Sequence, residues 1–426
     1  MLCKLFRNNQ ELLWRFLIIS YLCNHTPSAM IKRITTEAAA LILLLLLWSA
    51  DASAQQYHYK LNFSLSAEDF ADTITISVDQ GRVYVPVTIG EHTYRFMLDT
   101  GAGMGGVYTD TRINGMKPIG HITSHDANGR SHTTQVVSLP PLQLGNLTVR
   151  DYHVNVIDRP PGAKNADGIV GFDIFNKGLL GKIDVRQKHL ILTDRKTLFR
   201  NEPGYASRYR LNRHVPHVTI SPFEGFNENV RFDTGDREFY SISHKAFEHA
   251  SQSVDRRLLD TQIEGRTFGC LRISHYGAET NDEVVALCLS GLQWGNFRFS
   301  KVRALTTQGN STIGAALLAY GSVIINPFRR RLIFQPFDGG NGAVVGNNLP
   351  DIYYIPDHGR AAVGLVWEYS EAYQRGFRQG DIIERINNTP INDFRQFLAY
   401  PFIIGQSYTY TVRDKWGHTK QVRLTK

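Results

Sequence analysis

Cysteine is scarce in this sequence: four among 426 residues are too few for a disulfide framework. Charge is modest too, at 20%, and no long run of one sign occurs. The 47 basic and 39 acidic residues leave a formal net charge of +8. That mild excess, without a basic block, gives no reason to expect nucleic acid as a partner. Two familiar catalytic signatures are missing. Neither His-Glu-x-x-His nor Gly-x-Ser-x-Gly occurs, so the common zinc and serine hydrolase chemistries have no support. His121, His125 and His132 lie close together, but their spacing matches no strong metal site, and solvated loop histidines are the better reading. No metal and no cofactor is expected.

What is there reads as an ordinary globular chain, 42% hydrophobic and 11% aromatic. At roughly 150 residues per domain, the length suits two or three domains. The front reads as a targeting segment over 1–54. Met30-Ile31-Lys32-Arg33 is followed by a leucine-rich apolar run from Ala38 to Ala50, then Asp51-Ala52-Ser53-Ala54-Gln55. A basic start, a short apolar core and an Ala-x-Ala end describe a secretory signal peptide cut after Ala54. The run is shorter than the roughly 20 residues of a relaxed membrane span, so no stable span is expected after cleavage. Met30 is read as the true start, because the upstream patch from Leu12 to Cys23 is broken by Arg15. The expected location is exported: periplasmic, extracellular or on the cell surface. Cys270 and Cys288 then remain on two strands of one expected hairpin. Export permits a disulfide between them, and two buried thiols are an equal alternative.

The body is mainly β, with short β-branched and aromatic runs between Gly, Asn and Pro turns from about residue 72 to about 337. Five pieces recur in the same order. Val85-Pro86-Val87-Thr88-Ile89 is echoed by Val215-Pro216-His217-Val218-Thr219-Ile220, and Leu98-Asp99-Thr100-Gly101 by Phe232-Asp233-Thr234-Gly235. Leu139 to Asn146 is echoed by Leu289 to Asn296, Ile169-Val170-Gly171 by Thr312-Ile313-Gly314, and Asp184 to Leu192 by Asn326 to Phe334. A duplicated lobe explains five ordered echoes, and a ligand cleft is expected where the copies meet.

The chemistry sits on the repeated Asp-Thr-Gly. Each copy ends an apolar strand in a turn, with a carboxylate at its tip and a glycine that permits the turn. Two such carboxylates held close together share one proton, so one can accept a proton from water while the other donates to a carbonyl. The threonine hydroxyls can bond across to the opposite loop. The bland alternative, surface aspartates in Asx turns, suits one triplet better than a matched pair.

These motifs resemble the aspartic proteases, the pepsin-like and retroviral-protease-like clan, over roughly residues 75 to 337. The resemblance implies a bilobal pair of β-barrels, lobe one over 55–200 and lobe two over 201–338, with a peptide cleft between. It makes Asp99 and Asp233 the catalytic dyad, supported by Thr100, Gly101, Thr234 and Gly235. A covering flap is placed at His121 to His132, with Asn128-Gly129 as its substrate-facing turn. The sequence departs from pepsin-like enzymes after each triplet, where Ala102 and Asp236 replace a hydroxyl residue. Loss of that donor, and the charge of Asp236, both disfavour ionisation of the dyad, so work at mildly acidic to neutral pH is expected. Arg231 and Arg237 flank the second triplet and would push the other way.

After the Gly339-Gly340-Asn341-Gly342 linker, residues 346–426 resemble the small α+β PDZ domains of bacterial exported proteases. Ala372, Gly376, Gly380-Asp381-Ile382-Ile383 and Asn387 carry the likeness. Such a domain implies capture of peptide C-termini by strand addition, with Asp357-His358-Gly359 as a candidate region for the carboxylate loop. The expected function is thus an exported aspartic endopeptidase acting on extended polypeptides. The alternative is a catalytically inactive peptide-binding protein that keeps the scaffold.

Overall fold

The computed structural model describes residues 56–426 except 67, 126–130, 161, 162, 164, 272, 275 and 276. The leader over 1–54 and the flap turn Asn128-Gly129 lie outside the described residues. Strands dominate. Alternating residues along Val215–Phe223 and Ser407–Arg413 are buried, which sets one face of each strand toward a core. No helix among the described residues is long and apolar enough to cross a membrane.

Two sheets repeat one topology. In the first, neighbours run Arg82–Ile89, His92–Asp99, Gly168–Gly171, Gly106–Tyr108, His153–Ile157, Ser131–Ser138, Lys117–His125. In the second they run Val215–Phe223, Phe226–Asp233, Thr312–Gly314, Tyr240–Ser243, Val302–Thr307, Asp282–Leu289, Ile263–Gly269. The strand echoes of the sequence fall on matching members of the two sets. The Leu139 and Leu289 echoes contain matching hairpins, Leu142–Leu144 with Leu147–Arg150 and Leu292–Trp294 with Phe297–Ser300. The Asp184 and Asn326 echoes contain the turns of two further hairpins.

Backbone pairing joins the two halves. Gly181–Ile183 pairs antiparallel with Val323–Ile325. The strand Tyr205–Asn212 pairs first with Arg331–Pro336 and then with Val215–Phe223. One apolar cluster spans both halves, from Val85, Phe96 and Phe172 to Phe232, Trp294 and Phe334. Burying such large aromatic side chains supplies much of the stabilisation.

The tail is a six-stranded sheet with two short helices, Glu371–Gln374 and Phe394–Ala399. Each helix is capped in the ordinary way, Ser370 accepting from Tyr373 N and Asp393 from Gln396 N. Asp381 is buried, its Oδ2 accepting from Arg378 N at 2.8 Å and pairing with Lys420 Nζ at 2.9 Å, which ties the Arg378 turn to the last strand. Asp357-His358-Gly359, the candidate region for the carboxylate loop, is short. It is the tight turn between Ile352–Asp357 and Arg360–Val366, with His358 at φ 45° and Gly359 at φ 78°.

This tail packs on the hairpin Ile263–Gly269/Asp282–Leu289. Leu365 and Trp367 join Val284, Ala286 and Leu305 in one apolar cluster. Cys270 N donates to Gly364 O at 2.9 Å. Gly364 is the extra residue of a bulge between Tyr353 and Tyr354, so its carbonyl is turned away from the ladder. The cysteines are not joined. Gly269 pairs with Asp282 at one end of the hairpin, while Cys288 N meets Gln262 O at the other.

Candidate active site

Each Asp-Thr-Gly closes a strand in the same way. The strand His92–Asp99 is buried over its last four residues and runs parallel to Gly168–Gly171, with Asp99 opposite Gly171. The strand Phe226–Asp233 runs parallel to Thr312–Gly314, with Asp233 opposite Gly314. The second echoed motif therefore ends in glycine for a steric reason. A side chain at Gly171 would come within 2.9 Å of Ala102 O, and one at Gly314 within 2.7 Å of Asp236 O. The loops that follow the triplets lie directly on these glycines.

The two loops meet. Thr100 Oγ1 donates to Phe232 O at 2.8 Å, and Thr234 Oγ1 donates to Leu98 O at 2.5 Å. In return Thr100 N donates to Thr234 Oγ1 at 3.1 Å, and Thr234 N to Thr100 Oγ1 at 3.0 Å. Both threonines are fully buried, so each hydroxyl satisfies a donor and an acceptor that no water reaches. The glycines complete the approach. A side chain at Gly101 would collide with the Asp233 carboxylate, and one at Gly235 would come 2.6 Å from Asp99 Oδ2. Arg82 adds a further tie across the junction, Nε donating to Gly235 O at 2.9 Å.

This clamp brings the Asp99 and Asp233 carboxyl groups into hydrogen-bonding contact. Each is only 8% exposed. Gly101 N donates to Asp99 Oδ1 at 2.8 Å, and Gly235 N to Asp233 Oδ1 at 2.9 Å. Burial first, and the Asp233 charge second, push the Asp99 carboxyl up to about 8. The Arg231 charge and the Gly101 N–H pull it partly back. The direction agrees with the departure noted after each triplet, but the cause differs. Burial and the Asp233 charge lead the causes at Asp99. Asp236 Oδ1 accepts from Glu238 N at 3.0 Å, while its own N–H donates to Asp233 Oδ1 at 3.2 Å.

Arg231 places Nε 3.0 Å from Asp233 Oδ2, with both side chains about one-tenth exposed. The N–H is not aligned for a hydrogen bond, so the contact is an ion pair by distance alone. Arg237 turns away, toward Gln80 Oε1 at 3.4 Å. The sequence sets both arginines beside the second triplet without fixing their direction. The signal was available: residues two apart on a strand share a face, so Arg231 had to lie beside Asp233.

The surroundings of Asp99 come from segments far apart in the sequence. Tyr84, Met97, Tyr108 and Ile169 form an apolar cluster there. The Tyr108 hydroxyl is buried without a hydrogen-bond partner among the described residues, and Arg159 lies over its ring at 4.7 Å. Behind the first loop, buried Asp173 accepts from Tyr152 Oη at 2.9 Å and from Gly105 N at 3.2 Å. Burial pushes its carboxyl up to about 7. The expected flap is a hairpin of Lys117–His125 and Ser131–Ser138 in the described residues.

Residues 85–174 match the family model of aspartyl proteases. The match includes Asp99 and Ile169-Val170-Gly171 and stops short of the second triplet. Among solved structures, the aspartic proteinase of Irpex lacteus is similar at 14% identity and TM-score 0.41, over 63% of this chain and 97% of its own. Conglutin gamma, a basic 7S globulin of lupine seeds, is similar at 11% identity and TM-score 0.40, over 63% of this chain and 95% of its own. No curated protein matches the sequence. The family match supports an aspartic-type peptidase, whose substrates are polypeptides.

Proposed function

We propose that the chain is an exported aspartic endopeptidase whose dyad is Asp99 and Asp233. The observation that carries this reading is the contact between two buried carboxyl groups, one from each half, under reciprocal threonine bonds. The proton of the pair belongs on Asp99, which burial keeps protonated, and Asp233 is the member with a cation beside it. Asp233 then accepts a proton from the attacking water, while Asp99 donates to the carbonyl oxygen of the scissile amide. Water adds to the carbonyl carbon, the tetrahedral species collapses, and the amine leaves with a proton. No covalent intermediate is needed. Thr100, Gly101, Thr234 and Gly235 position the two carboxyls.

The lobes of this reading are 55–200 and 201–338, and the hairpin around Asn128-Gly129 serves as the flap. Residues 346–426 act as a PDZ domain that recognises peptide segments. The segment 1–54 directs export to the periplasm or beyond and is removed after Ala54.

One observation favours the rival, an inactive peptide-binding protein: the Arg231 guanidinium already engages Asp233. Hydrolysis of several unfolded polypeptides by wild type, Asp99→Asn and Asp233→Asn separates the two. The peptidase reading expects cleavage by wild type and a loss of roughly 10²–10⁴-fold in each variant. No cleavage by wild type from about pH 3 to about pH 8 would overturn the peptidase reading and favour the rival.

A further inference from the structure

The two halves present opposite chemistry beside the dyad. Two residues before Asp99, on the same strand face, stands Met97, and across the ladder from it stands Tyr84. Two residues before Asp233 stands Arg231, and across the ladder stands His217. The first pair is apolar and buried. The second begins a basic face.

That face continues strand by strand. His217 lies opposite Arg210, and Arg208 lies opposite Arg331. Directly opposed residues of an antiparallel pair point to the same side. Arg231, His217, Arg210, Arg208 and Arg331 therefore share one side of the sheet. A concavity of about 840 Å³ is lined by Arg208, Arg210, His217, Arg329, Arg330 and Arg331, with no acidic residue in its wall. Among the described residues, none of these five arginines has an acidic partner. Elsewhere on the chain arginines pair with carboxylates, as Arg303 does with Glu264 and Arg159 with Asp110. Five cations in one hollow repel one another, and an anionic ligand relieves that repulsion.

Resting on the peptidase reading, we infer that this face binds acidic side chains of the substrate polypeptide on the Asp233 side of the scissile bond. Distance supports a polypeptide. Arg231 to Arg210 spans two strand spacings, about 10 Å, which an extended chain covers in about three residues. Shape and composition support it as well. The face is concave, which suits a chain better than a flat membrane surface. Phe328 is its only exposed aromatic ring, where single-stranded nucleic acid would use several for stacking.

The test uses the full chain and three peptides with one apolar cleavage core, flanked on both sides by about four Glu, Ser or Lys residues. The inference expects kcat/KM for the Glu peptide to exceed that for the Ser peptide by at least about tenfold at low salt, with Lys lowest. Raising salt from about 0.05 to about 0.5 M should shrink the ratio. Arg208→Ser combined with Arg210→Ser, both exposed, should bring the ratio close to one, with folding checked by circular dichroism. Equal cleavage of all three peptides would overturn the inference and leave the peptidase reading standing. Cleavage of none would overturn the peptidase reading, and this inference with it. Binding to Asp99→Asn protein supplies a second readout. Tighter capture of phosphatidylserine vesicles or single-stranded DNA, undisplaced by the Glu peptide, would also overturn the inference.

Discussion

Arg231 and Asp233 lie two residues apart on one strand face, with Nε and Oδ2 separated by 3.0 Å and both side chains nearly buried. A buried ion pair of this kind fixes where charge sits, because either partner left alone would carry an unscreened charge. Here it biases a two-carboxyl site. In the proposed dyad the cation stands beside Asp233, which leaves the shared proton to Asp99.

Replacement of Arg231 should therefore change the pH dependence of the reaction. The Arg231 charge pulls Asp99 downward. In Arg231→Met, Asp99 should hold its proton to higher pH, and the alkaline limb of kcat/KM should move up by as much as about one pH unit. Arg231→Lys keeps the charge and should keep the limb near its wild-type place. Profiles recorded for all three proteins check this, and an unmoved limb in Arg231→Met would show that the pair is only structural.

The threonine clamp should be a stability element as well as a positioning one. Thr100→Val removes a hydroxyl that donates to Phe232 O and accepts from Thr234 N. Thr234→Val removes the mirror pair with Leu98 O and Thr100 N. Each change leaves a buried carbonyl and a buried N–H unsatisfied, at about 1–3 kcal/mol per group. The two residues are partners of each other, so the double variant should lose a different amount from the sum of the singles. Denaturant unfolding of the four proteins measures the difference. Strict additivity would mean that the loops do not hold each other.

Much of this arrangement was legible in the sequence. Repetition of Val-Pro, Asp-Thr-Gly and an apolar-apolar-Gly motif in fixed order pointed to two equivalent strand sets, because chain order constrains which strands can become neighbours. The acidic pair was legible for the same reason. The direction of Arg231 required strand parity as well as position. The mate of the tail was not legible, because docking of Leu365 and Trp367 on Val284, Ala286 and Leu305 joins segments with no shared pattern. The separation of Cys270 from Cys288 depends on hairpin register, which a sequence does not print. The apolar cluster beside Asp99 gathers Tyr84, Met97, Tyr108 and Ile169 from four different strands, so no single window contains it.

The most direct measurement of the shared proton is kcat/KM against pH on one unfolded polypeptide, with wild type and Asp99→Asn. The Asp99 carboxyl is raised to about 8, so it keeps its proton below that value and loses it as pH rises through it. The general acid should then be present at mildly acidic and neutral pH and disappear above about pH 8. The account predicts activity near neutrality, a fall on the alkaline side, and a variant lower by roughly 10²–10⁴-fold at every pH. A profile peaking at about pH 2 to 3 with nothing left at neutrality, or an Asp99→Asn protein as active as wild type, would contradict it.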